Sequence, residues 1–533
     1  MAEAAPAAPG ARRAAPPARP AMPAGGDHTL LSPRSQVLAG VVLAFSNFMV
    51  VLDLTIANVS VPHIAGNLGV SLDQGTWVIT SYAVAEAICV PLTGWLSQRF
   101  GTVKLFLAAM FGFGLFSLLC GMSVTLPMLV VCRIGQGLCG GPIMPMSQTL
   151  MVRVFPPERR AVAMAGWAAT VMLGPAFGPI IGGWISDTLS WHWIFFINVP
   201  IAGICTFAGF TLLTKLETPT LKVPIDRVGL ALLVFWIGCL QVLLDTGRDR
   251  DWFSDPWILF LGIAAVVGFC GFVIWELTED HPVVDLKIFR YRGYTATVIV
   301  QTFAFGSFFA GIVVVPQWLQ TAMGYTATQA GMITAMHAYA GILTAQVVAR
   351  VMGKFDIRIL ISFGCLWMGA MAMARTFWSS QSTFFDLAWP MFAQGVGMAC
   401  MFLPISTAAL SAVPVEETAN AAGLQNFCRT MATAISTSLV LTYWDTSQTS
   451  ARSMLAERLH PDAVQSALSQ SGMTAQQVTA TLSQMVDGQA IAIGVDKTFM
   501  IAGYILIACA LGVWLSPKVP LTRLGQGGPP GGH

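Results

Sequence analysis

Two carboxyl groups and one guanidinium stand inside stretches of sequence that are otherwise hydrocarbon. Asp53 lies in an apolar run from near Val37 to near Pro62, Glu86 sits deep in the next run, and Arg133 is buried in the fourth. A charge in hydrocarbon is costly, so an acid or base kept there marks a functional site, with proton or ion handling as its usual chemistry. A helix rises ~1.5 Å per residue, which sets Asp53 roughly 14 Å, Glu86 about 15 Å and Arg133 about 9 Å from the same face. Similar depths predict one shared site. A nearby opposite charge favours the ionised acid, while desolvation disfavours it. That competition equips Asp53 or Glu86 to exchange a proton; the plainer reading of each is a fixed ion pair.

The elements that must position these groups follow from composition. Of 533 residues, 55% are hydrophobic and 10% charged, and the mean hydropathy is +0.68. A soluble protein carries about a quarter charged residues. Apolar runs of membrane-crossing length recur along the chain, and they are continuous rather than alternating, which excludes a transmembrane β-barrel. The fold class expected is an all-α polytopic membrane protein. The balance of 28 basic and 26 acidic residues argues against a nucleic-acid partner. The eleven cysteines all fall in apolar runs without CxxC spacing, so neither a disulfide framework nor a metal site is expected. The seven histidines (His28, His63, His192, His281, His337, His460 and His533) are scattered, which speaks against a membrane-embedded enzyme. No G-x-x-x-x-G-K-[ST] string is present, so ATP drive and a nucleotide cofactor are not expected.

Fourteen spans are predicted: 37–62, 76–96, 105–122, 127–150, 162–186, 193–213, 228–246, 257–276, 294–318, 328–351, 359–377, 385–411, 420–443 and 498–516. With the N-terminus in the cytoplasm, twenty Lys and Arg fall on inner segments. Only Arg248, Arg250, Arg375, Arg452, Arg458 and Lys497 fall outside. The positive-inside rule therefore predicts that both termini are cytoplasmic. Residues 1–35, rich in Ala and Pro with Arg12, Arg13, Arg19 and Arg34, read as a disordered basic tail rather than a cleaved signal. Six spans over 36–214, two over 215–292 and six over 293–516, then a tail at 517–533, complete the expected organisation. One outer segment, 445–497, is long and polar. Thr474-x-x-Gln477 reads there as a capping box and His460-Pro461-Asp462 as another helix start, so two short helices forming an outer cap are expected.

Several strings carry a resemblance. The turn after span two reads Gly94-Trp95-Leu96-Ser97-Gln98-Arg99-Phe100-Gly101-Thr102-Val103-Lys104, and span four reads Leu129-x-x-x-Arg133-x-x-Gln136-Gly137. Span five reads Gly174-x-x-x-Gly178-Pro179-x-x-Gly182-Gly183, with glycines at a spacing that lets helices approach closely. Span one ends Leu52-Asp53-Leu54-Thr55-Ile56-Ala57-Asn58-Val59-Ser60-Val61-Pro62. Trp191-His192-Trp193-Ile194-Phe195-Phe196-Ile197-Asn198-Val199-Pro200 and Ala422-Gly423-Leu424-Gln425-Asn426-Phe427-x-Arg429-Thr430 follow further on. Together they resemble the fourteen-span drug:proton antiporters of the major facilitator superfamily, and among them the Emr-type inner-membrane pumps of Gram-negative tripartite exporters. The likeness reaches from residue 36 to the end. Gln98 departs from the family pattern, which usually has Asp there.

The resemblance implies two six-helix bundles with two extra central spans, rocking about a midplane site. It implies proton-coupled export of hydrophobic or amphipathic compounds, with a periplasmic adaptor and an outer-membrane channel as partners. The rival on the same fold is export of an endogenous metabolite such as a siderophore or fatty acid. Asp53, Arg133 and Glu86 are the coupling candidates. Gly94, Arg99, Gly101, Gln136, Gly137, Gly174, Gly178, Pro179, Gly182 and Gly183 are the gating and packing candidates. Gln301, Phe305, Phe308 and Ile312 recur at helical spacing. They join Asn58, Tyr82, His337, Tyr339, Gln425 and Arg429 as candidate substrate contacts, an apolar surface with a few polar groups.

Overall fold

The computed structural model describes residues 31–220, 224–280, 282–352, 354–379, 381–414, 417–458 and 475–517. Fourteen long helices run through them. The first six are α1 (Pro33–Leu68), α2 (Leu72–Phe100), α3 (Thr102–Gly121), α4 (Leu126–Val154), α5 (Pro157–Thr188) and α6 (Asn198–Leu213). The middle pair is α7 (Arg227–Thr246) and α8 (Pro256–Thr278). The last six are α9 (Arg292–Thr321), α10 (Ala327–Val351), α11 (Ile357–Ala374), α12 (Phe384–Ser411), α13 (Thr418–Arg458) and α14 (Ala475–Gly512). No strand occurs among the described residues.

Local chemistry sets many of the ends. Ser32 caps α1 by accepting from the Ser35 amide, with Pro33 in the first turn, and Gly69 closes the helix at φ 66°. Ser71 with Gln74, Thr326 with Gln329 and Thr383 with Asp386 form capping boxes on α2, α10 and α12. The Asp226 carboxylate accepts from the Val228 and Gly229 amides to start α7. The outer surfaces of the peripheral helices stay apolar: Ile204, Phe207 and Phe210 on α6, and Ile263, Val266, Val267 and Ile274 on α8, are all exposed. An apolar exposed belt of this kind suits a hydrocarbon solvent.

The two sets of six repeat one packing plan. In the first, α2 and α3 flank α4 while α1 lies along α5; in the second, α10 and α11 flank α12 while α9 lies along α13. The halves meet where α5 packs on α10 and where α13 packs on α2 and α4. Helices α7 and α8 pair with each other, and α7 leans on α2. By length and composition twelve helices among the described residues are apolar enough to cross a membrane. The two long helices outside that set are α5 and α13, which lie at the seam where close approach and polar contacts call for Gly, Ala, Thr and Asn instead of Leu.

Where two short cap helices were expected over 445–497, the described parts of that segment, 445–458 and 475–497, belong to two long helices. Helix α13 continues unbroken to Arg458 and α14 starts at Ala475, so each is a seam or bundle helix prolonged beyond its apolar part. They stay helical because they brace each other. The Trp444 indole lies against Gly494, and Arg452 pairs with Asp487 at 2.8 Å. His460, Pro461, Asp462 and Thr474 lie outside the described residues.

Candidate functional site

Two sets of glycines bring the charged residues of the first bundle together. A Cβ on Gly174 would strike Val51, one on Gly178 would strike Thr55, and one on Gly182 would press on Ile56. Thr55 Oγ1 donates to the Gly174 carbonyl at 3.1 Å. The span-five string therefore fixes the register of α1 on either side of Asp53. Gly183, by contrast, has open space beside it. On α4, Gly137 packs on the Tyr82 carbonyl and Ala85, and Gly141 on the Glu86 carbonyl and Cys89, which draws α2 onto α4.

At the meeting point Arg133 Nη1 donates to Asp53 Oδ2 at 2.7 Å, with the two side chains 0% and 2% exposed. Gln136 Nε2 donates to Asp53 Oδ1 at 3.0 Å and Asn198 Nδ2 to the same oxygen at 2.7 Å. The carboxyl oxygens of Asp53 thus accept three hydrogen bonds. Arg133 also donates through Nε to the Val78 carbonyl at 3.0 Å and through Nη1 to Gln136 Oε1 at 2.8 Å. Its guanidinium carbon lies 4.2 Å from the Tyr82 ring centre and 5.6 Å from that of Phe195. Tyr82, a candidate substrate contact by sequence, is instead part of the cradle of Arg133. Asn198 is the member that sequence reasoning missed; it stands in the Trp191–Pro200 string, an amide in an apolar run. Ser117 supports it by accepting from Nδ2 at 3.2 Å.

Glu86 does not join this cluster. It lies on the same helix as Tyr82, about one turn further on, and the cations that act on it are Arg429, from the second bundle, and Arg133. Glu86 is thus within electrostatic reach of the seam cation Arg429 and of both members of the Asp53–Arg133 pair. Arg429 reaches Met144 Sδ of α4 and lies 5.5 Å over the Phe305 ring. Gln425 Nε2 donates to Gln301 Oε1 at 2.5 Å, and Asn426 Nδ2 to Gln148 Oε1 of the first bundle at 3.0 Å.

The other candidates divide. Phe305 and Phe308 are buried, Phe305 against Phe402 at 3.8 Å between ring centres and Phe308 edge-on to His337 at 5.5 Å. Tyr339 is 46% exposed, because residues two apart on a helix face nearly opposite ways. Asn58 is likewise exposed. Both fall outside the interior site. Arg375, counted with the outer surface charges by sequence, is buried. It turns back from the end of α11 between Trp378 and Phe499.

The loop motif works across the seam. A Cβ on Gly94 would collide with Asn420 of α13, and Gln98 Nε2 donates to Asn420 Oδ1 at 3.3 Å. An amide pair, rather than an acid, joins the halves at this end. Arg99 lies 5.5 Å over the Trp95 ring. Gly101 has φ 91° and packs on Glu217, whose carboxylate accepts from the Val103 and Lys104 amides at 3.1 and 2.9 Å. Pro179 lies within α5 between Gly178 and Gly182. No group of three His, Cys, Asp or Glu among the described residues is placed to hold a metal ion.

Two bundles repeat one packing plan, with a buried acid–guanidinium pair in the first. The sequence profile of the Major Facilitator Superfamily matches residues 43–437. The chain belongs to the major facilitator superfamily. It is 42% identical over 499 residues to the multidrug export protein EmrB of Escherichia coli (strain K12), covering 92% of this chain and 97% of that protein. It is 40% identical over 490 residues to the fatty acid resistance protein FarB of Neisseria gonorrhoeae, covering 91% and 96%. Among solved structures, the major facilitator proton:xylose symporter XylE superposes with a TM-score of 0.59 at 14% identity, covering 92% of this chain and 97% of that one. The human organic anion transporter MFSD10 superposes at 0.55 and 14%, covering 89% and 100%. These two likenesses establish the major facilitator fold.

Proposed function

We propose that this major facilitator protein exports hydrophobic or amphipathic compounds across the bacterial inner membrane in exchange for protons. The observation that carries the reading is the Asp53 carboxylate, sealed in the first bundle and held by Arg133, Gln136 and Asn198. Protonating it removes the counter-charge of a buried guanidinium, which costs several kcal/mol unless the surrounding helices shift. Proton arrival and helix movement are thereby tied together. Glu86, within electrostatic reach of Arg429 across the seam and of Arg133, supplies the second acid. Its charge attracts the two halves at that level, and its neutralisation loosens them. Rocking of one bundle against the other then alternates access to a site near the middle.

Phe305 and Phe308, with Gln301, Gln425 and Arg429 beside them, offer the substrate an apolar wall with a few polar groups. The names of relatives such as EmrB support drugs and other toxic compounds as cargo. We assign the face carrying the α2–α3 turn to the cytoplasm, on the excess of Lys and Arg there, which puts both termini inside and all fourteen helices across the bilayer. The prolonged α13 and α14 then project into the periplasm. There they offer a periplasmic adaptor, and through it an outer-membrane channel, a helical surface to dock on.

The test is transport in inverted membrane vesicles energised by a proton gradient. Wild-type vesicles should accumulate a hydrophobic dye such as ethidium and release it when the gradient is collapsed. Asp53→Asn should bind the dye and fail to accumulate it. Full accumulation by that variant refutes the coupling role.

A further inference from the structure

The two extra helices hold a buried acid with no cation to neutralise it. Glu276, near the end of α8, is 0% exposed. Its Oε2 accepts from the Val284 amide at 3.1 Å, on the connector that leads to α9, while its Oε1 has no hydrogen-bond partner. The carboxylate of Asp226, at the start of α7, shares its space. A Cβ on Gly229 would collide with both Asp226 Oδ2 and Glu276 Oε1, so the gap between the two acids is open only because that residue is glycine. Among the described residues no Lys, Arg or His forms an ion pair with either acid. The charges that act on Glu276 from the elements around it are themselves acidic, Asp226 of α7 and Asp285 of the connector. Arg227 of α7 is exposed, as are Lys287 and Arg290 of the connector, and the last two donate to the Glu279 carbonyl and to Glu417.

The hydrogen bonds give the two acids different roles. Asp226 has the donors of an ionised group: its Oδ1 accepts from the Val228 and Gly229 amides at 3.0 and 2.9 Å, and its Oδ2 from Trp275 Nε1 at 2.8 Å. It also caps the N-terminus of α7, where a negative charge is favoured. Two carboxylates that share a buried space without a cation repel each other, and a single proton between them removes the repulsion. Glu276 Oε1 is the only carboxyl oxygen of the pair without a donor. A proton there satisfies it and gives Asp226 Oδ2 a further donor.

We propose that Glu276 and Asp226 form a proton site of their own, and that the proton they share latches the connector of the second bundle to α7 and α8. Glu276 Oε1–H donates to Asp226 Oδ2 while Oε2 keeps the Val284 amide. The latch touches both halves of the molecule. Just ahead of α7 the Pro224 carbonyl accepts from Trp95 Nε1 of α2 at 3.3 Å. On the other side, Val283, Val284 and Ile288 of the connector share one apolar cluster with Trp236 of α7, Phe272 of α8 and Tyr294 of α9. Loss of the proton sets two negative charges face to face and drives Glu276, with the connector it holds, away from α7. Asp226 is only half-buried and gives the site its exchange with the face assigned to the cytoplasm. The site lies outside the Asp53 cluster, so its failure leaves the coupling role of Asp53 untouched.

Infrared spectra of the full-length purified protein in nanodiscs at neutral pH test where the proton sits. Subtracting Glu276→Gln from the wild type should reveal the carbonyl stretch of one protonated carboxyl, and the same band should appear in an Asp53→Asn background. Asp226→Asn keeps a capping side chain and should shift that stretch instead of removing it, because the acid loses its charged acceptor. The melting temperature gives a second readout, since a proton kept by the folded protein and released on unfolding makes stability fall as pH rises. The wild type should therefore lose melting temperature from neutral to alkaline pH more steeply than Glu276→Gln, whose amide donates to Asp226 at every pH. Absence of the band, or equal pH dependence in the two proteins, overturns the proposal. Should Glu276→Gln fail to fold, a carbonyl region identical in the wild type and Asp226→Asn overturns it equally. So does a melting temperature that sodium or potassium chloride raises in the wild type, but not in Glu276→Gln, when choline chloride does not, which would fill the gap with a metal cation instead.

Discussion

At the scale of single residues, Asp53 is defined by its donors. Each of Arg133, Gln136 and Asn198 makes a charge-assisted hydrogen bond to a carboxylate cut off from water, and such bonds contribute about 1.5–3 kcal/mol each. Asn198→Ala should therefore lower stability by roughly that amount and slow transport without abolishing it. Asn198→Asp puts a second carboxylate against the first and should stop transport altogether. Thermal melting of the purified variants and dye accumulation in inverted vesicles read both effects. An Asn198→Ala protein that melts and transports as wild type would mean that Asn198 does not hold Asp53. Arg133→Lys should restore only part of the activity lost in Arg133→Ala. A point charge can meet Asp53, but it cannot serve Val78 and Gln136 at once and stack on Tyr82.

Helices and their glycines give a sharper test, because one motif contains positions with opposite demands. A Cβ at Gly178 would meet Thr55 of α1, whereas Gly183 has nothing near it. Gly178→Ala should separate α1 from α5, displace Asp53 and depress transport by an order of magnitude or more. Gly183→Ala should transport normally and gain up to about 1 kcal/mol from the better helix former. Equal tolerance at both positions would show that α1 is not held by this string. The same helices show what a sequence discloses. The Asp53–Arg133 contact was legible, since two opposite charges in hydrocarbon have few other ways to be stable. Asn198, Asn420 and Gln148 were not, because an amide among apolar residues does not announce its partner. The burial of Arg375 was also hidden: an arginine at the end of an apolar run looks solvated until the ring of Phe499, far away in sequence, closes over it. Span cores were legible from hydropathy, but the ends of α13 and α14 were not, since the contacts that keep their polar parts helical lie between chain segments and leave no periodic trace in either.

Over the whole molecule, the prolonged helices set how the projecting part can be tested. Trp444 lies beside Gly494 and Arg452 beside Asp487, so the antiparallel register puts residue 455 near residue 484. Removing 455–484 and joining the ends with a short Gly/Ser linker therefore trims both helices back to the same level and keeps the Arg452–Asp487 pair. Vesicle transport should survive this trim, while resistance conferred on intact Gram-negative cells should fall. Unchanged resistance would place the adaptor contact elsewhere. The unbroken course of α13 has a mechanical side as well. Its 41 residues make a rod of about 60 Å at the usual rise, anchored near its start to α2 through Asn420 and to α4 through Asn426. With that length as lever arm, a tilt of ~5° at the anchor sweeps the far tip through about 5 Å. A partner touching the tip would thus be pushed and released once in every cycle, as a pointer reports the turning of a dial.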